Sequence, residues 1–333
     1  MSTQSVAVNT TAKTPKQKAK RKSSALQTFF KNPRSLVGAI LFGLFVVIAI
    51  FAPLIAPYNP SSTNFSMLQP PSAGHIFGTT SLGQDVFSQF IWGTRATLIV
   101  GIGAGVLSTI IAVLIGVTAG YLGGVTDSIL NAICNIFLVM PGLALLIIIE
   151  SYVNNSTPYM NGLIIALTGW AWGARVMRSM AMTIASRDYI AAARLSGAST
   201  FRIILFEIVP NMTSVIASNV MYACLAAVLA ESGLAYLGFE NVASTSWGTM
   251  LYWSSQNGAM ISGAWWWFVP PGLGIALLGT SFALMNFGID QVTNPRLRTS
   301  RKKKDVQRLL KELQKSQTKG VLTDGGQQTS VGN

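Results

Sequence analysis

The chain has 333 residues, of which 50% are apolar and only 11% charged, where soluble domains carry about a quarter charged residues. Its formal net charge of +13 would suit a nucleic-acid partner, but the 24 Lys and Arg residues are segregated: eight precede Leu36, five lie between Arg175 and Arg202, ten follow Thr293, and Arg95 stands alone. A soluble DNA- or RNA-binding domain interleaves basic residues with its core elements, so this pattern excludes that class and points to lipid as the solvent of the long uncharged stretches.

Residues 1–35 are rich in Ser, Thr, Lys and Gln, a basic tail expected to be disordered and cytoplasmic. A hydrocarbon core of about 30 Å is crossed by about 20 helical residues, and six stretches qualify. The first is Leu36 to Ala56. It is too long for a secretory signal and has thirty-odd residues before it, so it reads as a retained span; with the loop that follows it makes a unit over 36–95. The core over 96–295 holds the other five: Ala96 to Ala119, Ile129 to Tyr152, Asn161 to Val176, Ile208 to Leu229 and Trp265 to Phe287. The fourth is diluted by Trp170, Trp172 and Gly173. Within the second, Gly101 with Gly105 and Gly116 with Gly120 form two small-xxx-small pairs that let helices approach closely; Val106 and the apolar flanks exclude a dinucleotide fingerprint. Residues 296–333 form a second basic tail. Its Arg296–Gln314 stretch can make a surface helix on Val306, Leu309, Leu310 and Leu313 that fixes topology and touches anionic lipid.

Six spans with the N-terminus inside return the C-terminus inside and place the Arg175 to Arg202 loop there too. All basic residues except Arg95 then lie on the cytoplasmic side. Tyr152, Tyr159, Trp253 and Trp265 to Trp267 fall at the outer ends, the depth that interfacial aromatics favour.

Catalytic chemistry is scarce. His75 is the one histidine, so no His-based triad or multi-His metal site can be assembled. No Gly-Lys dipeptide occurs, which excludes the phosphate-cradling loop of nucleotide hydrolases. Cys134 and Cys224 lie inside apolar runs and read as packing residues. No paired acids stand out within the spans, so an intramembrane enzyme is disfavoured and no bound cofactor is expected.

The loop over 186–206 is the most informative segment. Arg187 and Asp188 open a short helix, with Asp188 as its cap. Ala191, Ala192 and Ala193 give it a thin face, and Gly197 suits the left-handed residue that ends it. Ser199 can cap a second helix running to Val209 and Pro210 at the start of the fifth span. Spacing alone leaves two readings open: a helix laid into a groove of another protein, or an ordinary interfacial loop. Along the fifth span, Asn211, Ser214, Ser218 and Tyr222 recur at spacings of three and four on one helical face. That face either lines a translocation path or bonds to neighbouring helices. Asn219 lies beside it and Glu207 at its cytoplasmic end.

The loop resembles the coupling motif of bacterial ABC-importer permeases, in which Glu-Ala-Ala is followed by three residues, Gly, nine residues, Ile, one residue and Leu-Pro. Ala192-Ala193, Gly197 and Val209-Pro210 match that spacing. Ala191 stands in place of the acid and Glu207 in place of Ile. The run His75 to Gln89, Gly93-Thr94-Arg95, Glu231 to Gly238, Ser246-Trp247-Gly248 and Asn294 to Arg298 resemble landmarks of the dipeptide and oligopeptide permeases of the C-subunit type, in one collinear order from about Asn32 to Arg298. Thr80, Gln84 and Gln89 stand where those proteins often carry Asp, Arg and Arg.

The resemblance implies an all-α, polytopic membrane protein of the type I importer kind: six transmembrane helices and a cytoplasmic coupling helix, in a bacterial cytoplasmic membrane with both termini cytoplasmic. It implies a homologous second permease, two ATPase subunits that carry the ATP and Mg, and an extracytoplasmic substrate-binding protein. The expected cargo is a di- or oligopeptide. The same subfamily includes nickel and oligosaccharide permeases, and a channel subunit working without ATPases is the alternative from another class.

Overall fold

The computed structural model describes residues 29–30, 32–153, 157–293 and 310. The N-terminal tail up to residue 28, the Asn294 to Arg298 landmark and, Leu310 apart, the helix expected over Arg296–Gln314 lie outside the described residues. Among the described residues there is no strand, only an isolated antiparallel bridge between Thr79 and Asp85.

Helix α1 (Pro33–Ile50) opens with Pro33 in its first turn, and the Asn32 side chain accepts from the Arg34 backbone N–H at 3.1 Å. It stops at Phe51, and a single turn over Ala52–Ile55 completes the stretch expected as the first span. Helix α2 (Val86–Leu122) is capped by Asp85 and has 37 residues, about 56 Å at the rise of an α-helix, so it projects well beyond a bilayer core. The expected third span is not one straight crossing. It is α3 (Gly124–Val139) and α4 (Gly142–Tyr152), bent by 88° at the break. Pro141 has no N–H to continue the ladder and pushes Met140 out of the helical region, to ψ 132°.

Helix α5 spans Pro158–Ala185 and α6 spans Asp188–Leu195. One α-turn at Thr200–Arg202 then leads through a π-helical turn, Ile203–Ile208, and a 3-10 turn, Val209–Met212, into α7 (Thr213–Tyr236). Pro210 accounts for the irregular turns: the carbonyl four residues earlier loses its donor and the ring must be accommodated. Helix α8 (Trp247–Gln256) and α9 (Trp265–Thr293) complete the bundle.

Four helical runs are long and apolar enough to cross a membrane: α1, α2, Thr200–Tyr236 and most of α9. The bent pair α3 and α4 makes five if it is one span. The fourth expected span, Asn161 to Val176, corresponds to α5, which is 28 residues long but carries Asn161, Arg175 and Arg178.

Helix α2 is the centre of the bundle and packs against α5 and α7. Its two glycine pairs serve different neighbours. A Cβ on Gly101 would lie 2.3 Å from Val228 Cγ2 and one on Gly105 2.5 Å from the Cys224 backbone, both on α7. On Gly116 and Gly120 it would lie 2.3 Å from the Ala174 carbonyl oxygen and 2.4 Å from that of Arg178, both on α5. Trp247, at the start of α8, ties α1 and α2 to that helix. Its fully buried ring stacks on Phe90 with centroids 5.4 Å apart, meets Phe45 of α1 edge-on, and its Nε1 donates to the Phe90 carbonyl at 3.1 Å. Cys134 and Cys224 are buried and unbonded to each other. Many apolar side chains face outward, among them Ile40, Leu54, Ile136, Val139 and Ile148, as lipid or another subunit would require.

Candidate functional site

The basic residues of the described helices gather at one end of the bundle. Arg34 at the start of α1, Arg175 and Arg178 on α5, and Arg187, Arg194 and Arg202 around α6 lie at that end, and Arg95, near the start of α2, is at the other. On α5 the spacing of three puts Arg175 and Arg178 on one face. Arg178 makes a bidentate pair with Asp127 of α3, one arm at 2.6 Å, and Arg175 Nη2 donates to Asn135 Oδ1 of the same helix. Sequence reading gave these two cations no role beyond topology. The available signal was Asp127, the one acid between the second and third apolar stretches.

Helix α6 sits just beyond this clamp. Ile190 is its anchor, fully buried among Met177, Ala181 and Ile184 of α5 and Ile203 and Ile208 of the π turn. Arg187 precedes its first turn, Asp188 occupies that turn, and both are exposed. Asp188 is therefore within the helix rather than its cap. Ala191 and Ala192 face solvent and Ala193 is half-buried. Gly197 ends the unit at φ +77°, with nothing near the position of a Cβ. The side chain of Ser199 caps the next turn through Arg202 N at 3.4 Å. The loop then presents Leu195, 90% exposed, with Phe201 and Phe206 to the outside. Val209 is partly buried and Pro210 exposed at the 3-10 turn, and the Glu207 carbonyl accepts from Asn211 Nδ2 at 2.6 Å.

The four polar residues of the fifth span occupy different surroundings. Asn211 is engaged with the irregular turn, and Ser214 and Ser218 are partly buried. Tyr222 is half-exposed, its ring 6.1 Å from and edge-on to Trp172 of α5. These two aromatics, with Ser108, Gly173, Asn219 and Ala226, line a groove of about 440 Å³. Asn219 is buried and donates from Nδ2 to Thr109 Oγ1 at 3.0 Å, crossing from α7 to α2. The groove thus takes Tyr222 from the expected stripe and adds Trp172 and Asn219.

At the opposite end, the loop 57–85 folds onto the start of α2. His75 Nδ1 lies 2.9 Å from Asp85 Oδ1, and Asp85 Oδ2 accepts from the Ser88 backbone and hydroxyl at 2.8 and 2.7 Å. Thr80 is buried and its hydroxyl accepts from Leu82 N and Gln84 N, and Gln89 Nε2 donates to Gln84 Oε1 at 2.8 Å. Thr80, Gln84 and Gln89 therefore form a neutral hydrogen-bonded network.

Comparison with known proteins agrees with this architecture. Residues 112–299 match the family described as "Binding-protein-dependent transport system inner membrane component", and residues 23–71 match "N-terminal TM domain of oligopeptide transport permease C". The chain is 31% identical to the oligopeptide transport system permease protein OppC of Mycobacterium tuberculosis (strain ATCC 25618 / H37Rv) over 288 residues, covering 85% of this chain and 98% of that one. It is 33% identical to the dipeptide transport system permease protein DppC of Bacillus subtilis over 274 residues, 80% of this chain and 83% of that one. With OppC of the same organism it shares 32% over 276 residues, 82% and 89% of the two chains. On the matched family, the glycine-packed helices and the landmarks in their order, this chain belongs to the inner-membrane permease components of binding-protein-dependent ABC transporters.

Proposed function

We propose that this chain is one transmembrane half of an ATP-driven importer of di- or oligopeptides in a bacterial cytoplasmic membrane, with both termini cytoplasmic. It would pair with a homologous permease, dock on two ATPase subunits that hold ATP and Mg, and receive its cargo from an extracytoplasmic binding protein. The observation that carries this reading is α6: a short helix pinned to the bundle by Ile190 alone among its buried side chains, with Ala191, Ala192 and Leu195 turned outward. Such an element transmits a push from a docked partner into α5 and the π turn beneath it. Movement there would rock the bundle between inward-open and outward-open states, as rigid-body alternation requires. The groove at Trp172 and Tyr222 supports the cargo class, because an aromatic pair beside one amide accommodates peptide side chains of mixed character.

The test is crosslinking in the assembled transporter. Single cysteines at Ala191 and Ala192 are expected to crosslink to an ATPase subunit. Crosslinks confined to lipid or to the binding protein would overturn the docking assignment.

A further inference from the structure

No paired acids stand out within the spans of the sequence, but the fold buries three acids in one region. Glu150 near the end of α4, Glu231 near the end of α7 and Glu240 in the connection after α7 converge at the end of the bundle away from α6. They are 4%, 1% and 5% exposed. Asn161 in the first turn of α5, 2% exposed, faces the Glu240 carboxyl. The hydroxyls of Thr97, Ser232 and Ser246 face Glu231, and Ser232 Oγ donates to its Oε2 at 3.1 Å.

The polar atoms left over here are all of one kind. Glu231 Oε1, both Glu240 oxygens and Asn161 Oδ1 are buried with no hydrogen-bond partner. Each is an acceptor when the acids are ionised, so the hydroxyl and amide donors of the site leave four acceptor atoms unmatched. The Asn161 oxygen is the independent sign, because it cannot ionise and still lacks a donor. Among the described residues, the charges that face Glu240 are the carboxyls of Glu231 from α7 and Glu150 from α4. The ion pairs among the described residues are His75–Asp85 and Arg178–Asp127, both elsewhere. Arg95, the one Lys or Arg toward this end among the described residues, lies over the Trp92 ring and is exposed. No three such groups among the described residues are arranged to hold a metal ion.

We propose that Glu231, Glu240 and Glu150, with Asn161, form a proton-binding site that fastens the ends of α4, α5 and α7 together. One carboxyl stays a neutral acid and donates to a neighbouring oxygen, turning an acceptor into the missing donor. Loss of that proton leaves like charges in a buried space with no cation, and the fastened ends separate. Burial, and then the charges of Glu231 and Glu150, hold the Glu240 carboxyl above the usual carboxylate range in support of this arrangement. The folded protein then keeps a proton that the unfolded chain releases near pH ~4.3. Stability is fully present below that pH and falls as the pH rises through and beyond neutrality. The inference concerns the chain's own packing and does not depend on the transported cargo.

The experiment uses the assembled transporter in lipid nanodiscs. Infrared spectra at neutral pH should show the C=O stretch of a protonated carboxylic acid, which disappears only on alkaline titration and is lost in Glu240→Gln or Glu231→Gln. The wild-type thermal midpoint should fall on going from pH ~6 to pH ~9, and the fall should be reduced or absent in Glu240→Gln, whose amide supplies a donor at every pH. Absence of the acid band at neutral pH in the wild type overturns the proposal. So does a wild-type midpoint that is flat with pH, or one that responds to Na⁺ or K⁺ with no acid band, which would make the site an alkali-ion site. The wild-type measurements decide the matter even if a variant fails to assemble.

Discussion

The guanidinium of Arg194 lies 4.7 Å from the centre of the Tyr121 ring, and its Nε donates to the Tyr121 hydroxyl at 3.2 Å. This contact joins the last turn of α6 to the last turn of α2, two elements 73 residues apart in sequence. The exposed helix thereby has two attachments, Ile190 into α5 and the π turn, and Arg194 onto α2.

An exposed cation–π contact contributes about 0.5–1 kcal/mol, so its loss should alter how motion is passed on without unfolding the bundle. Arg194→Ala is expected to lower uptake and ATPase stimulation severalfold at unchanged expression. Tyr121→Phe, which keeps the ring, should lie near wild type. Assays of uptake and ATPase activity in proteoliposomes check this. Equal defects in both variants would assign the effect to the hydroxyl rather than to the ring.

Gly197 separates backbone strain from crowding, because its φ is +77° and the space around it is open. A β-branched residue has no room to object to, only a conformation it disfavours, at about 1–2 kcal/mol. Gly197→Val should leave the spans inserted but lower uptake and ATPase stimulation, and Gly197→Asn should be milder. Wild-type uptake by the Val variant would contradict a need for this turn.

The glycines of α2 give a contrast within one helix. At Gly105 a Cβ would lie 2.5 Å from the α7 backbone, whereas at Gly103 nothing lies within 4 Å. Gly105→Leu should abolish a detergent-stable complex, by a cost at or above the roughly 1–3 kcal/mol of ordinary overpacking. Gly103→Ala should be neutral or slightly stabilising. Size-exclusion profiles of the purified complexes discriminate the two, and equal behaviour would mean that α2 and α7 do not pack as described.

For the path, a bulky side chain at Ser218 is the direct test. Ser218→Trp is expected to block uptake while leaving assembly with the ATPases intact. Cysteines at Asn211, Ser214, Ser218 and Tyr222, and one at Trp172 in the groove wall, should react with water-soluble thiol reagents at rates that change with ATP. Uniform inaccessibility of the four stripe positions in every nucleotide state would move the path to another face.

Several features were legible in the residues themselves. Long uncharged apolar runs mark α1, α2, α7 and α9, because crossing a hydrocarbon layer is a requirement on composition that each segment meets alone. Gly101, Gly105, Gly116 and Gly120 announced close helix approach by the spacing of four. Gly197 announced the end of α6. What the runs could not reveal was shape and partnership. The 88° bend at Pro141 divides a stretch whose hydropathy is continuous, because backbone dihedrals rather than apolarity decide whether a helix goes on. That Gly101 meets α7 while Gly116 meets α5 follows from where those helices pack, and so does the choice of Tyr121 as the seat of Arg194. The acids are the clearest case. Glu150, Glu231 and Glu240 sit on three segments, each acid alone in apolar or loop sequence. Only the packing of α4, α5 and α7 buries them near one another, where like charges that water would have screened face each other.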